Sequence, residues 1–423
     1  MVDFPKYESY KNSEIPWLGG IPSHWDLRKN KFLLKEKKDV VGKKSTNFTL
    51  LSLTLQGVIA RDMENPQGKF PAEFNTYKIV SSGDLIFCLF DIEETPRTVG
   101  HSTQNGMITG AYEVFDCESI VDSKYFYYYY LSLDFDKRLQ SLYSGLRKVI
   151  KVDTFLGISS PVPPIEEQRR IVDFLDRKTA EIDQAIAQKQ RLIELLKEQK
   201  TILIDRAVTQ GLNPNVLVRD SDIEWIGKVP KHWKLVQNRY VFQEQNKRSA
   251  NGNEIHLSMS QKFGLVPSHE LESKTLQSES YEGAKLCLKT DLILNRLKAH
   301  LGVFSVAPCD GLVSPDYSVF RLRNQNMTSK YFEHLFKTAI YISEFNRKVK
   351  GIVMGFYRLY SDSFNEIPCL CPPVHEQVQI QNWILEKQQE FKIVENAIRT
   401  EIDRLLELKS VVISEAVTGK IKV

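Results

Sequence analysis

The segment I-P-W-L-G-G-I-P-S-H-W-D-L, from Ile15 to Leu27, returns as I-E-W-I-G-K-V-P-K-H-W-K-L, from Ile223 to Leu235. A second motif repeats at nearly the same distance, since P-P-I-E-E-Q (Pro163 to Gln168) returns as P-P-V-H-E-Q (Pro372 to Gln377). Two motifs repeated at one spacing indicate a tandem duplication. The period is far longer than that of a solenoid repeat, so each copy is a domain-sized unit. The chain therefore presents two equivalent domains and two equivalent surfaces.

Length and composition indicate a soluble protein of mildly basic charge. The 423 residues favour about two to three domains, and the duplication favours two. A formal net charge of +4 permits a nucleic-acid partner without requiring one. No apolar run approaches the roughly 18 residues of a membrane span, and the N-terminus lacks the order of a signal peptide. We expect a cytoplasmic protein without a membrane partner, whose six cysteines are buried thiols rather than zinc ligands.

The stretches between the two motifs are mixed in character, which predicts an α+β fold. Short apolar runs entered through a turn residue, such as G-D-L-I-F from Gly83, indicate strands. K-Y-F-Y-Y-Y-Y-L from Lys124 and K-Y-F-E-H-L-F from Lys330 indicate helices. The tyrosines could stack on bases, but aromatic residues at helical spacing favour a core role. We predict domains over residues 1–163 and 211–372, and long helices over 164–210 and 373–423.

Each long helix carries a heptad seam of apolar residues. Pro164 suits a first helical position, and Gly211 ends the first helix. A helix of about 44 residues is roughly 65 Å long, which exceeds the width of a small domain. We therefore expect the two seams to pack on each other as an antiparallel coiled coil with pseudo-twofold symmetry and a domain at each end, rather than each on its own domain. The predicted seam consists of Leu175, Ile182, Ile186, Ile193, Leu196, Leu203, Ile384, Phe391, Ile398, Ile402, Leu405 and Val412.

Motifs of catalysis are weak or missing. S-P-D-Y, from Ser314, resembles the amine-holding motif of amino-methyltransferases, but its third residue is Asp where that motif has Pro. The matching stretch of the first copy, G-M-I-T-G-A-Y from Gly106, lacks the motif. We find no cofactor-binding glycine loop, phosphate loop, H-E-x-x-H or nuclease carboxylate motif. The repeated His24 and His232 lie beside tryptophan, which favours a packed turn over a metal site. We therefore predict no catalytic and no metal-binding residues.

Basic residues recur in glycine-containing loops of both copies, notably just before P-P-x-x-E-Q. Several such charges on one face would bind phosphate, and arginine is the commonest reader of guanine. A single one is more often a solvated surface charge. The candidate DNA-binding residues are Arg61, Arg97, Arg147, Lys148, Lys151, Lys247, Arg248, Arg296, Lys298, Arg347, Lys348 and Arg358.

The paired motifs, their order and their spacing closely resemble the specificity subunit of type I restriction-modification systems. The first helix also reads I-x-x-F-L-D-x-x-T-x-x-I-D, from Ile171 to Asp183, as in that family. The second helix departs from the pattern from Ile380 onward, although its seam is retained.

The resemblance implies a double-stranded DNA-reading subunit without catalysis or a cofactor of its own. Each target recognition domain would read one half of a bipartite site, and the helices would set the spacer. Two modification subunits that bind S-adenosylmethionine would dock on the chain, and restriction subunits that use ATP and Mg would join them. Two alternatives remain: a coiled-coil scaffold that does not read DNA, and a fused methyltransferase or nuclease.

Overall fold

Both copies fold into the same set of strands followed by a long helix in a computed structural model, which describes residues 4–62, 73–143, 148–260, 263–271, 281–350 and 357–423. Contacts divide the chain into unit 1, Met1–Gln190 with Arg399–Val423, and unit 2, Arg191–Ile398. Each unit thus contains a part of both long helices. The helices are α1 (Ser123–Phe135), α2 (Val152–Gly157), α3 (Ile165–Gln210), α4 (Asn238–Val241), α5 (Ser329–Phe336), α6 (Ala339–Lys348), α7 (Ser361–Glu366) and α8 (Val374–Val417).

The strands of the two units correspond one to one. Those of unit 1 are β1 (Tyr10–Asn12), β2 (Gly20–Pro22), β3 (Asp26–Lys29), β4 (Leu34–Lys37), β5 (Leu51–Thr54), β6 (Gly57–Ala60), β7 (Lys78–Val80), β8 (Leu85–Phe87), β9 (Val99–His101), β10 (Gly106–Ile108), β11 (Glu113–Cys117) and β12 (Ser159–Val162). Those of unit 2 are β13 (Val218–Asp220), β14 (Lys228–Pro230), β15 (Lys234–Gln237), β16 (Phe242–Gln245), β17 (Leu257–Ser260), β18 (Gly264–Pro267), β19 (Lys285–Cys287), β20 (Leu292–Asn295), β21 (Phe304–Val306), β22 (Gly311–Val313), β23 (Tyr317–Leu322) and β24 (Pro368–Cys371).

The strand pairing is the same in both units. Unit 1 has a four-stranded antiparallel sheet in the order β4-β11-β8-β9, and unit 2 has one in the order β16-β23-β20-β21. The pairs β1-β2, β3-β12, β5-β6 and β7-β10 of unit 1 match β13-β14, β15-β24, β17-β18 and β19-β22 of unit 2. The duplication inferred from the motifs is therefore a duplication of the fold.

The core of each unit packs its sheet and short helices against the long helices. In unit 1, Trp25, Tyr125 and Phe155 are buried together with Leu175 of α3 and Ile413 of α8. The aromatic run of α1 belongs to this core, which confirms the packing interpretation of its tyrosines and excludes Tyr125, Tyr129 and Tyr130 from base stacking in this conformation. The corresponding core of unit 2 contains Trp233, Tyr331, Phe364, Val208 and Ile384.

The long helices run antiparallel within each unit. In unit 1, Lys409 Nζ of α8 lies 2.6 Å from Asp183 Oδ1 of α3, and Lys189 of α3 pairs with Glu401 of α8. Because the residue number falls on one helix as it rises on the other, the two segments are antiparallel. Lys189 lies seven residues after Ile182 and seven before Leu196, so it interrupts the apolar spacing with a charge whose partner lies on the opposite helix.

The predicted seam residues lie along the inner side of these helices. Each of them is buried or half-buried, with Leu175 and Ile384 fully buried. In unit 2, Leu196 of α3 and Phe391 of α8 line one cavity of about 260 Å³, so these two seam positions face the same space. The fold class predicted from the sequence is confirmed.

The second long helix ends earlier than the predicted residue 423. It stops at Val417, and Gly419 then takes a φ of +69°. A Cβ at Gly419 would lie only 2.3 Å from Pro22 Cδ, so the close approach of this turn to the entrance motif requires glycine. The last residues pair with the start of the chain, since Lys422 N donates to Pro5 O at 2.7 Å.

Candidate nucleic-acid interface

The two repeated motifs contact each other in unit 1. Glu167, in the first turn of α3, accepts hydrogen bonds from Trp25 Nε1 at 3.0 Å and Tyr7 Oη at 2.6 Å, and its other oxygen lies 2.8 Å from His24 Nε2. The Glu of P-P-x-x-E-Q therefore binds the His-Trp of I-P-x-H-W across more than 140 residues of sequence. We name this arrangement the glutamate clamp.

Unit 2 repeats the glutamate clamp with one donor fewer. Glu376 of α8 accepts a hydrogen bond from Trp233 Nε1 at 2.9 Å and lies 2.6 Å from His232 Nε2. Both repeated histidines thus contact a glutamate of a long helix, while about half of each side chain remains exposed. Among the described residues, no cluster of His, Cys, Asp or Glu has an arrangement that could hold a metal ion.

The glutamine that follows each glutamate joins the long helix to the domain. Gln168 accepts a hydrogen bond from Asp122 N at 2.8 Å and donates to Ile120 O at 3.0 Å, at the residue that caps α1. Gln377 accepts one from Thr328 N, at the start of α5, at 3.2 Å. The E-Q pair therefore fixes the direction in which each long helix leaves its domain. Sequence reasoning located these residues but not their role, and their repetition was the signal.

The electrostatics of the clamp favour an ionised glutamate. Burial by itself would raise the pKa of Glu167, but hydrogen bonds from Tyr7, His24 and Trp25 outweigh it and hold the pKa below its usual value. Burial, and then the hydrogen bond to Glu167, raise the pKa of Tyr7 well above its usual value. Tyr7 therefore stays protonated and acts as a donor.

Each domain is also held by the helix end of the other copy. Tyr125 Oη, in the K-Y-F segment of the first copy, donates to Val417 O of α8 at 3.2 Å. Tyr331 Oη, in the K-Y-F segment of the second copy, donates to Val208 O of α3 at 2.9 Å. Both acceptors are the valine of an A-V-T sequence that is found at the end of each long helix, at Ala207 to Thr209 and at Ala416 to Thr418. The two copies thus exchange the C-terminal ends of their long helices.

Two basic candidates of unit 1, Arg97 and Lys148, lie at the loop between β8 and β9. Asp91 N of that loop donates to Lys148 O at 2.9 Å, which joins it to the segment before α2. The ammonium of Lys148 lies 2.9 Å from Glu93 and 3.5 Å from Glu94, and the hydrogen bond to Glu93 raises its pKa. Its charge is therefore largely compensated. Lys151 is exposed, Arg61 is half-buried at the end of β6, and Arg147 lies outside the described residues.

The basic candidates of unit 2 divide into three groups. Arg296, between β20 and β21, and Arg358 both approach Asp316, at 3.5 and 3.6 Å, and Leu359 N donates to Arg296 O. These two arginines therefore come together, as the sequence pattern predicts. Arg347 and Lys348 are paired with Glu344 and Glu366 at the end of α6. Lys247, Arg248 and Lys298 are exposed.

Each unit has a cavity beside these residues that the sequence did not reveal. In unit 1 a cavity of about 450 Å³ lies between the β5-β6 hairpin and Arg97. In unit 2 a cavity of about 480 Å³ is lined by Lys247, Asp310 and Arg321, among others. Arg321 is held by Asp291 through two hydrogen bonds of 2.8 and 2.7 Å. Polar and apolar groups thus meet in both cavities.

The enzyme-like string S-P-D-Y forms a turn that leads into β23. Tyr317 N donates to Ser314 O at 3.0 Å, and Arg296 donates to the carbonyl oxygens of Asp316 and Pro315. Its groups are engaged in holding the turn together. The described helices also include none that is long and apolar enough to cross a membrane.

Comparisons with known proteins find similarity to the specificity subunits of type I restriction enzymes. Residues 105–195 match the family described as the type I restriction modification DNA specificity domain. The chain is 22% identical to the protein named as the MjaX specificity subunit of a type I restriction enzyme from Methanocaldococcus jannaschii, over 100% of this chain and 99% of the relative. It is 27% identical to the MjaVIII specificity subunit of the same organism, over 30% of this chain and 28% of that protein.

Solved structures share the fold. A chain from a structure of complex assembly and conformational transition of the type I R-M system superposes with a TM-score of 0.62, at 14% identity, over 94% of this chain and 98% of that one. The HsdS subunit from Thermoanaerobacter tengcongensis superposes with a TM-score of 0.50, at 15% identity, over 96% and 100%. The family resemblance inferred from the motifs is confirmed.

Proposed function

We infer that this chain, a specificity subunit of the type I restriction-modification family, directs its complex to a bipartite site on double-stranded DNA. Each unit would read one half-site, and α3 with α8 would set the number of base pairs between them. The observation that carries the proposal is the duplicated fold, in which two units of equal strand pairing are held on shared helices by the same motif residues. Two units of the same fold on one pair of helices are suited to a DNA site that has two parts.

The loops that carry basic residues are the proposed DNA-facing surface of each unit. Lys151 of unit 1, and Lys247, Arg248 and Lys298 of unit 2, are exposed and available to phosphate. The charges of Lys148 and Arg347 are engaged by glutamates, so their expected contribution to DNA affinity is smaller. Phosphate contacts of this kind position a protein on DNA but carry no sequence information.

The outer sides of the long helices are the proposed docking surface for two modification subunits. Apolar residues that face solvent there are a recognised mark of an interaction site. Each of them is at least 43% exposed: Leu192, Leu195, Ile202, Val378, Leu385, Ile393, Val394, Leu406, Leu408 and Val411. Ile202 and Val411 occupy equivalent positions of the two copies, whereas most of the other residues have polar counterparts, so the two docking surfaces would differ in detail. Restriction subunits would join the complex thus formed.

Catalysis belongs, in this proposal, to the partner subunits. The residues of the repeated motifs and of the S-P-D-Y string make contacts that stabilise the fold, as those of Glu167 and of the S-P-D-Y turn illustrate. S-adenosylmethionine would bind the modification subunit, while ATP and Mg would bind the restriction subunit. A protein that reads genomic DNA works where that DNA is, so the proposed location is the cytoplasm.

Methylation mapping with purified components tests the function. The chain and its modification subunit are mixed with S-adenosylmethionine and a DNA library, and methylated adenines are located by sequencing. We expect methylation at one bipartite sequence, only when this chain is present, with binding that weakens steeply as salt rises. A complex that assembles but binds DNA without any sequence preference would instead support the scaffold alternative.

An exchange of one recognition domain supplies a matched control. Replacing residues 30–158 by the equivalent part of another specificity subunit leaves both glutamate clamps in place. Such a chimera should methylate sites with one altered half and one unchanged half. A change in both halves would contradict independent reading by the two units.

A further inference from the structure

The cavity of about 450 Å³ in unit 1 lies against a two-stranded hairpin. Strands β5 and β6 pair from Leu51↔Ala60 to Thr54↔Gly57, which leaves Leu55 and Gln56 at the tip. Leu55 is 65% exposed although it is apolar. Arms of four residues extend about 13 Å, compared with a depth of roughly 8.5 Å for the major groove, which admits a two-stranded ribbon. The hairpin therefore has the dimensions of a major-groove reader.

Arg97 lines the same cavity as the tip of this hairpin and has an unused hydrogen-bond donor. Its side chain is only 16% exposed, and its Nε is buried without a hydrogen-bond partner among the described residues. A buried donor that lacks an acceptor costs about 1–3 kcal/mol. An acceptor that entered the cavity would recover that free energy. The cavity is thus shaped for a ligand that offers hydrogen-bond acceptors to an arginine.

The neighbouring carboxylate of Asp134 makes only one long contact with Arg97. Asp134 already accepts hydrogen bonds from Thr98 Oγ1 at 2.5 Å, Thr98 N at 3.1 Å and Lys137 Nζ at 2.8 Å. Arg97 Nη1 stands at 3.5 Å from the same carboxylate, at the limit of a hydrogen bond. When Arg97 moves toward a ligand, the 3.5 Å ion pair is broken, but Asp134 keeps its hydrogen bonds from Thr98 and its ion pair with Lys137.

Unit 2 has glycine at the position of Arg97. Cys88 N donates to Thr98 O in unit 1 as Asn295 N donates to Val303 O in unit 2, so Gly302 corresponds to Arg97, and the arginine of this loop in unit 2 stands at its other end. Arg296, in the equivalent loop between β20 and β21, donates from Nε to Asp316 O at 2.6 Å and from Nη2 to Pro315 O at 3.3 Å. The two units therefore differ at this position, although they share the fold. A difference of this kind is expected where two equivalent domains read different sequences.

We propose that Arg97 reads a guanine in the half-site of unit 1, in the major groove beside the β5-β6 hairpin. Guanine presents two acceptors there, O6 and N7, at a spacing that suits two donors of one guanidinium. Adenine, by contrast, presents one acceptor and one donor. The proposal rests on the proposed function, since it assumes that unit 1 faces DNA.

The test measures duplex binding by the complex of this chain with its modification subunit. Arg97→Ala should weaken binding of the mapped site about 5- to 150-fold and leave the affinity for unrelated DNA unchanged. Methylation mapping should show one relaxed position in the first half-site and an unaltered second half-site. Arg97→Lys keeps the charge but lacks the two-donor fork, so the same position should relax. Arg28→Ala, which removes an exposed arginine of β3 paired with Asp26, is the matched control and should change neither.

Modified DNA makes the test independent of how well a variant folds. Guanines of the first half-site are replaced one at a time by 7-deazaguanine, which lacks the N7 acceptor. One replacement should weaken binding by the unaltered chain and cost the Arg97→Ala chain nothing further.

Equal losses of affinity on all sequences, with a salt slope reduced by about one, would make Arg97 a phosphate contact and overturn the proposal. Specificity that is unchanged in both variants, or 7-deazaguanine that has no effect at any position, would overturn it as well. Failure of the unaltered complex to bind DNA at all would contradict the proposed function instead.

Discussion

Removal of the Glu167 carboxylate tests whether the glutamate clamp holds the first domain on its helix. In Glu167→Ala, Trp25 Nε1 is left without an acceptor in a fully buried position, and Tyr7 loses its acceptor in a half-buried one. Each stranded donor costs about 1–3 kcal/mol, whereas His24, whose side chain is 49% exposed, can turn to water. We expect a loss of about 2–5 kcal/mol in the opening free energy of unit 1.

The second clamp and a neighbouring glutamate provide internal comparisons. Glu376→Ala strands one buried donor, Trp233 Nε1, so unit 2 should lose only about 1–3 kcal/mol. Glu166→Ala removes a surface ion pair with Arg169 that is worth less than about 1 kcal/mol. The expected order of destabilisation is therefore Glu167, then Glu376, then Glu166.

Hydrogen exchange measured by mass spectrometry is the suitable assay, because a chain of two units need not unfold in one step. Peptides from α1 and β3 should exchange about 30-fold faster or more in Glu167→Ala, since 1.4 kcal/mol corresponds to a factor of ten. Peptides from β16 and β23 in unit 2 should remain unchanged. Exchange rates equal to those of Glu166→Ala would refute the reasoning that the clamp stabilises the domain.

Three further predictions follow from the same geometry. The pKa of Glu167 is lower in the folded state, so the stability it contributes is present above pH 4.5 and is lost as the pH falls below it; Glu167→Gln should flatten this dependence in acid titrations followed by hydrogen exchange. Each of the variants Tyr125→Phe and Tyr331→Phe removes one buried hydrogen bond to a helix end. Each should destabilise its own unit by about 1–2 kcal/mol in the same assay. A variant that speeds hydrogen exchange equally in both units would contradict this. Insertion of one heptad after Leu196 and one after Glu395 lengthens both helices by about 10 Å and also rotates the units. Methylation mapping should then show either a spacer that is longer by about three base pairs or no methylation at all. Methylation at the original spacing would show that the helices do not set the spacer.

The heptad insertion also illustrates where sequence reasoning needs the structure. Equivalence of the two copies suggests Leu405 as the partner site of Leu196. In the antiparallel pair, however, Lys197 approaches Glu395 at 4.0 Å, so the position opposite Leu196 is near Glu395. Only an insertion there keeps the partners of every other seam residue unchanged. Homologous positions and contacting positions are different things in a duplicated antiparallel pair.

Local sequence patterns predicted the helices and strands of the fold, but they did not predict the contacts between distant parts of the chain. The heptad rows and the stop at Gly211 located α3 to within one residue, because helix periodicity and end signals are local. The bond between Glu167 and Trp25 joins distant parts of the chain and leaves no local pattern. The repetition of both motifs was the only sequence feature that indicated this contact. The spare donors of Arg97 depend on how Asp134 is satisfied, which no spacing rule describes.

The exchanged helix ends have a consequence for the origin of the chain. A polypeptide of half this length would end in an A-V-T segment that its own domain does not bind, and Tyr125 would find no helix end to cover it. Two such polypeptides could complete each other reciprocally, as in a domain-swapped dimer. With Lys422 bonded to Pro5, the present chain makes that exchange within one molecule, so the loops of one half can change without altering those of the other.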